Sequence, residues 1–173
     1  MDLDLLYPGR FVKGSQLQGI TKIEVVSASL VKMGEDDEKP KAHKPGDRPK
    51  PIERKAVLTV RMRDPFTGEV GLQEIVWCKV NSLLTDQIYG RDTNAWVGKV
   101  LFIHNDLRVR MMGKAGGIRV CGAPASVLPS PKKVTIRIKR QRGGDFVEEH
   151  TLLPNGGLTA PGKGATHAAP SDG

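Results

Sequence analysis

Four cationic side chains between residues 108 and 119 are the strongest candidates for chemistry in this sequence. Arg108 and Arg110 lie two residues apart, so on a β-strand they would share one face, while Lys114 falls at a glycine-rich turn and Arg119 on the returning strand. Two antiparallel strands with this spacing would form a cationic ribbon matched to the phosphates of a nucleic-acid strand. The alternative is that all four are ordinary exposed positions of a half-solvated sheet.

Further side chains could extend such a surface. The added candidates are Lys99, Phe102, Arg137, Lys139 and Arg140. Phe102 is included because single-strand binders stack bases on aromatic rings, although its alternation with Val100 and His104 fits a core face equally well. Trp77 and Trp96 are more typical of a core. The chain has only eight aromatic residues, and this shortage argues against strong single-strand binding.

Other kinds of site find little support in the residues. The four histidines are far apart and no cysteine pair has ligand spacing, so we expect no metal. Residues 157–163 fit the first seven positions of a phosphate-binding loop, but Gly164 replaces the required Ser or Thr, and neither a buried strand nor a helix flanks it. No spacing indicates a catalytic arrangement. We therefore expect a protein that is not an enzyme and has no cofactor.

Composition favours an anionic partner. The chain has 173 residues, enough for one domain with appendages, and a formal net charge of +8 at pH 7. Such a charge favours nucleic acid first and acidic proteins or membranes second, although it could simply keep a small protein soluble. No apolar run approaches transmembrane length, and we expect a cytoplasmic location with no membrane partner. Cys78 and Cys121 lie in apolar stretches and are expected to be reduced core thiols, although they could also lie close enough to pair.

The hydrophobic pattern predicts a mostly β fold with one helix. The predicted strands cover residues 20–31, with a bulge at Val25–Val26, and then 56–63, 74–80, 99–104 and 118–121, with a short strand around Val109. Helical spacing over 81–89, ended by Gly90, places the single helix between the third and fourth long strands. This order is typical of a small antiparallel OB-like barrel, with an SH3-like barrel or an open antiparallel sheet as alternatives.

Composition also divides the chain into segments. We predict an OB-like domain over 1–124, interrupted by a mobile charged insertion at 34–55 that has almost no apolar residues. A linker and a basic β-hairpin follow over 125–153, with strands at 132–140 and 146–153. Residues 154–173 are rich in Gly, Ala, Pro and Thr and are predicted to be a disordered tail.

Short motifs in the middle of the chain carry a resemblance. They read Tyr89-Gly90-Arg91-Asp92-Thr93, Trp96-Val97-Gly98-Lys99, Gly113-Lys114 and Gly117-Ile118-Arg119-Val120. In this order they resemble a family of small bacteriophage accessory proteins, over about two-thirds of the chain. The resemblance implies an OB-like fold that binds single-stranded DNA. The chain departs from the family at Asn81-Ser82-Leu83-Leu84, in the charged insertion and in the tail after Pro124.

Charge, pattern and resemblance together predict a non-enzymatic, phage-encoded protein that binds single-stranded DNA non-specifically in the host bacterial cytoplasm. A phage or host replication or recombination protein and a second copy of the chain are further candidate partners. The alternative is a protein–protein adaptor, or an inhibitor of a host protein, built on the same small β scaffold. The sequence does not distinguish DNA from RNA.

Overall fold

The computed structural model describes residues 10–32, 54–111 and 113–158. Within these residues the chain forms nine β-strands, one α-helix and three short 3-10 turns. The helix α1 covers Lys79–Tyr89 and the 3-10 turns cover Gly14–Gln16, Thr93–Trp96 and Asn155–Gly157. The strands are β1 Thr21–Lys32, β2 Arg54–Arg63, β3 Val70–Val76, β4 Val100–Asn105, β5 Arg110–Met111, β6 Lys114–Ala115, β7 Ile118–Ala123, β8 Lys132–Ile138 and β9 Phe146–Pro154.

Seven strands form one open, mixed sheet. Their order is β3-β2-β1-β4-β7-β9-β8, and all neighbours are antiparallel except β7 and β9. The remaining two strands, β5 and β6, pair only with each other. The mostly β class and the helix between the third and fourth strands are confirmed. The sheet does not close, because β3 and β8 stand at opposite edges, so the expected closed antiparallel barrel is not found.

The first strand, β1, bends and pairs with two neighbouring strands. Its residues from Thr21 to Glu24 pair with β4, and those from Glu24 onward pair with β2. The register with β2 shifts between Val25 and Ser27, where the sequence predicts a bulge. A bulge bends a strand and increases its twist, which allows one strand to turn between two neighbours.

The helix buries an apolar face against the sheet and ends where the sequence predicts. Val80 and Leu84 are buried, and Gly90 follows with a φ of 85°, a value that favours glycine. The helix begins two residues before the predicted start, so β3 ends at Val76 and not at Val80. Trp77, between them, is 2% exposed and belongs to the core.

Asn81 provides hydrogen bonds to the backbone at the start of β7, where β9 does not yet pair with it. Its side chain is buried on α1, where Nδ2 donates to the Ile118 carbonyl at 2.9 Å and Oδ1 accepts from the Val120 N–H at 3.1 Å. One amide side chain thus takes the place of a neighbouring strand over these residues. Buried backbone groups require such partners, and Asn81 supplies them here.

The C-terminal hairpin belongs to the same sheet and core. Gly122 and Ala123 of β7 pair in parallel with the end of β9, and Val134, Ile136 and Leu152 join the core cluster of the first strands. The approach at Gly122 is close: a Cβ there would overlap the Leu153 carbonyl oxygen. The two predicted hairpin strands are confirmed.

Several segment predictions fall at the limits of the described residues. The predicted mobile insertion at 34–55 lies outside them except for Arg54 and Lys55, which begin β2. The predicted disordered tail is corrected at its start, because residues 154–158 end β9 and form a 3-10 turn whose Gly156 packs against Phe102. The rest of the tail lies outside the described residues. No helix in the described part of the chain is long and apolar enough to cross a membrane.

Candidate nucleic-acid interface

Three segments border a groove of about 720 Å³ on one side of the sheet. The start of α1 forms one side, residues 108–110 form the second, and the β8–β9 hairpin forms the third. Cationic side chains outnumber acidic ones in the lining; they are Lys79, Arg108, Arg110, Arg119 and Arg140, against the acidic Glu148 and Glu149. We call this feature the basic groove. It brings together four of the cationic residues predicted from sequence: 108, 110, 119 and 140.

Arg108 is held in place by a buried carboxylate. It lies in a turn before β5, not on a strand, so it does not share a strand face with Arg110 as expected. Its guanidinium donates to both carboxylate oxygens of Asp106, with Nη2–Oδ2 at 2.7 Å and Nε–Oδ1 at 3.0 Å. Hydrogen bonds from Arg108 lower the pKa of Asp106 to about 2. Nη1 of Arg108 also donates to the Glu149 carbonyl at 3.3 Å, but the side chain is still 68% exposed, so an anion can reach part of the guanidinium.

Arg119 is a correction to the predicted surface. It is 7% exposed and forms a two-pronged ion pair with Glu148, with Nε–Oε1 at 3.0 Å and Nη2–Oε2 at 3.1 Å. Burial alone would raise the pKa of Glu148, but the hydrogen bonds and charge of Arg119 hold it below its ordinary value. The position is buried because β7 is a central strand with the hairpin packed beside it. Arg119 therefore forms the floor of the groove and is not placed to bind phosphate.

The ion pair at the floor continues into a buried polar cluster. Nε2 of His150 lies 2.7 Å from Oε1 of Glu148, and His150 is 6% exposed. His104 lies close enough to be affected by Asp106 and His150, and burial lowers its pKa. No group of three or more potential ligands for a metal ion occurs among the residues that the structure describes. The cluster supports the hairpin on the sheet from below the groove.

The exposed cations of the groove come from three separate segments. Arg110 lies on β5, opposite Ala115 of β6, and Arg140 follows β8 with its guanidinium 4.9 Å from the centre of the Phe146 ring. Lys79 is exposed at the first position of α1. Lys114, on the tip of the β5–β6 pair, is also exposed but does not line the groove.

Lys79 and Phe146 are groove residues that the sequence did not indicate. Lys79 fell inside the predicted third strand, and only the earlier helix start brings it to the groove. Phe146 is half-buried and pairs with Ile138 across the hairpin. Its place directly after the Gly143-Gly144 reversal, in a basic hairpin, was the available signal.

The remaining predicted residues lie outside the groove lining. Phe102 is corrected as a stacking candidate, because it is 7% exposed and its Cβ packs against Gly156. Arg137 is exposed on β8 with Asp145 at 3.5 Å, Lys139 is exposed beyond the strand, and Lys99 lies over the Tyr89 ring at 6.0 Å. For Lys99, Arg137 and Lys139 a contact with nucleic acid stays a prediction.

A second groove, of about 590 Å³, has a more balanced lining. Its cations include Arg61 and Arg63, and its acids include Glu24 and Asp64. Arg61 forms an ion pair with Glu24 at 2.8 Å, and Arg63 donates to the backbone carbonyl of Gly68. With three cations, including Lys22, against two acids, and with Arg61 paired to Glu24, this groove carries less free positive charge than the basic groove and is the weaker candidate for an anion.

Cys121 does not offer a reactive thiol in the core. Cys78 and Cys121 are both free, and burial raises the pKa of Cys121 to about 12. A thiol with so high a pKa is not ionised at neutral pH and is a poor nucleophile.

Comparison of the chain with protein-family models, with curated proteins and with solved structures gives no match.

Proposed function

We propose that this protein binds single-stranded DNA non-specifically through the basic groove and performs no chemistry on it. The observation that carries the proposal is the convergence of unpaired cations. Lys79, Arg110 and Arg140 form no ion pair with any described residue. Arg108 adds its exposed edge. Of the two acids in the lining, Glu148 is already neutralised by Arg119.

The contacts available in the groove suit phosphates better than bases. Arginine and lysine side chains on separate segments can bind successive phosphate oxygens, and such contacts carry no sequence information. The fixed position of Arg108, held from behind by Asp106, reduces the entropy that the side chain would lose on binding. We therefore propose that charged contacts with phosphates supply most of the affinity and that the protein has little sequence preference.

A single strand is favoured because the groove also holds an aromatic ring. Phe146 lies in the lining with the Arg140 guanidinium over it. Rings and guanidinium planes provide stacking surfaces for unpaired bases, which a duplex keeps inside its own stack. The small number of such surfaces agrees with a binder whose affinity comes mainly from charge.

The strand arrangement supports an open OB-like fold in residues 21–123. In this region β1 pairs with both β2 and β4, and α1 lies between β3 and β4. OB folds bind oligonucleotides with the face of strands 2 and 3 and with the loops between strands 1 and 2 and between strands 4 and 5. The connection from β4 to β7 corresponds to the second of these loops, and it contains Arg108 and Arg110. The resemblance of residues 89–120 to bacteriophage proteins agrees with this proposal.

The test compares two variants of equal charge change. Arg110→Glu with Arg140→Glu reverses two groove cations, whereas Lys55→Glu with Lys133→Glu reverses two exposed cations on β2 and β8 that do not line the groove. Each lost charged contact is worth about 1.5 kcal/mol, so the groove variant should bind a fluorescent oligothymidylate roughly 100-fold more weakly at low salt. The control variant loses only screened, long-range attraction and should stay within about fivefold of wild type.

Equal losses in the two variants would show that net charge, and not the groove, determines binding. If the wild-type protein binds neither single-stranded nor double-stranded oligonucleotides at low salt, the proposal fails. The adaptor or inhibitor function would then take its place, and the search for a protein partner would begin at the exposed edges of the sheet.

A further inference from the structure

The edge strand β3 presents an apolar edge that no described residue covers over residues 70–73. Val70 is 61% exposed and Leu72 is 59% exposed, and residues 70–73 contain no charged residue and no proline. The opposite edge strand, β8, follows Pro131 and carries Lys132, Lys133 and Arg137. Charged residues and prolines on an edge discourage pairing with another chain, and their absence leaves β3 open to it.

The backbone direction along β3 can be derived from two hydrogen bonds. The Glu69 carbonyl accepts from Asp64 in the β2–β3 turn, so residues 69, 71 and 73 direct their polar backbone groups toward β2. The Glu74 carbonyl accepts from the Val12 N–H on the other side. Residues alternate along a strand, so Val70 and Leu72 direct their N–H and C=O groups outward. No described residue is hydrogen-bonded to these outward groups.

We propose that β3 pairs antiparallel with β3 of a second copy of this chain, across a two-fold axis at Gly71. In this register Val70 of one copy faces Leu72 of the other, and these are the residues whose backbone groups point outward. Each of the two pairs exchanges two hydrogen bonds, so all of the outward groups are satisfied. The free edge ends where Val12 binds Glu74, which limits the pairing to residues 69–73.

Side chains in this register are complementary. Each Val70–Leu72 pair is apolar on both sides, and Glu69 faces the uncharged Gln73 of the other copy. No like charges meet, and a two-fold arrangement makes the same patch serve both partners. At the centre, Gly71 faces Gly71 in a non-hydrogen-bonded pair, where Cα atoms approach to about 4.5 Å. This inference does not depend on the basic groove.

Proline at position 72 tests the pairing without removing a hydrogen bond of the single chain. Because the Leu72 N–H points outward, Leu72→Pro should retain the fold and abolish the dimer. Leu72→Lys is the second variant, since it places charge on the edge at an exposed position. Leu30→Lys is the matched control, because Leu30 is 70% exposed but lies on β1, away from this edge. The measurement is mass by sedimentation equilibrium over a concentration series, with circular dichroism for the fold.

The expected result is a dimer for wild type and Leu30→Lys, and a folded monomer for both Leu72 variants. A wild-type protein that is monomeric at the highest soluble concentration would overturn the proposal. So would a dimer that survives both Leu72 variants, since another surface would then form it. If removal of residues 1–9 converts a monomer into a dimer, the occupant of the edge is the chain's own N-terminal segment and not a second copy.

Crosslinking tests the register. A Cβ at Gly71 meets no atom within 4 Å, so Gly71→Cys is sterically accommodated in the single chain. In the proposed dimer the two cysteines at this position face each other within disulfide distance and should form a covalent dimer on mild oxidation. Glu69→Cys is the control: two residues away, exposed, and facing position 73 of the other copy, it should not crosslink to itself. Crosslinking at 69 but not at 71 would exclude this register.

Discussion

Removal of Arg119 should destabilise the fold strongly, because Arg119 is a buried structural residue. Arg119→Ala deletes both hydrogen bonds to Glu148 and the bond to the Ile118 carbonyl at 3.1 Å. Among the described residues, it leaves the Glu148 carboxylate, whose side chain is 20% exposed, with His150 as its remaining hydrogen-bonding partner. Removing one member of a buried ion pair costs about 3–5 kcal/mol, and the partial exposure of Glu148 favours the lower end, about 3 kcal/mol.

The assay is urea and thermal unfolding of matched variants. For a chain of this size a loss of about 3 kcal/mol lowers Tm by roughly 6–12 °C. Arg137→Ala is the control, because the Arg137–Asp145 pair is 62% and 37% exposed and should contribute less than about 1 kcal/mol. In a double-mutant cycle with Glu148→Ala, Arg119→Ala should show a coupling of about 2 kcal/mol.

A loss of less than about 1 kcal/mol for Arg119→Ala would refute this reasoning, because that is the range of an exposed ion pair. A coupling near zero would equally show that the pair with Glu148 is not what holds Arg119. Either result would indicate that Arg119 is exposed in solution and available to bind phosphate.

Three further predictions concern the same sheet. Gly122→Ala should prevent stable folding or lower Tm by more than 10 °C, about 3 kcal/mol or more for a chain of this size, because its Cβ would overlap the Leu153 carbonyl oxygen; thermal unfolding will show this. Arg108 lowers the pKa of Asp106 from 3.8 to about 2, so its contribution is present above pH 3.8 and is lost as pH falls toward 2. In Asp106→Asn, the free energy of unfolding, measured as a function of pH, should therefore fall less steeply between pH 3.8 and about 2 than in wild type. Asn81→Leu should cost about 1–3 kcal/mol in urea unfolding, since it leaves the buried Val120 N–H without a partner and leaves the Ile118 carbonyl with Arg119 alone.

Local pattern predicted most of the elements. The slip in alternation at Val25–Val26 indicated the bulge, and Gly90 with the helical spacing before it indicated where α1 ends. These features depend on neighbouring residues alone. The start of α1 was missed because residues 77–80 are apolar enough to continue a strand, and only packing decides that Val80 joins the helix.

The candidate site was less predictable, because it depends on which strands become neighbours. The alternation of apolar and charged residues places Arg119 on the exposed face of its strand. In the structure β7 is a central strand, and Arg119 forms an ion pair with Glu148, which is far away in sequence. Arg108 is taken out of the strand by its bond to Asp106 only two residues away. Lys79 lines the groove because the helix begins at this residue, and Phe146 does so because it pairs with Ile138 in the hairpin. The spacing of residues in the sequence predicts neither feature.

The salt dependence of oligonucleotide binding tests the central claim most directly. Four exposed cations can contact phosphate in the basic groove; they are Lys79, Arg108, Arg110 and Arg140. Each phosphate contact on a single strand contributes about −0.7 to the slope of log K against log salt, so wild-type protein on oligothymidylate should give a slope of about −3. Binding that is absent at low salt, or present with a slope near zero, would contradict a groove that binds single-stranded DNA by charge.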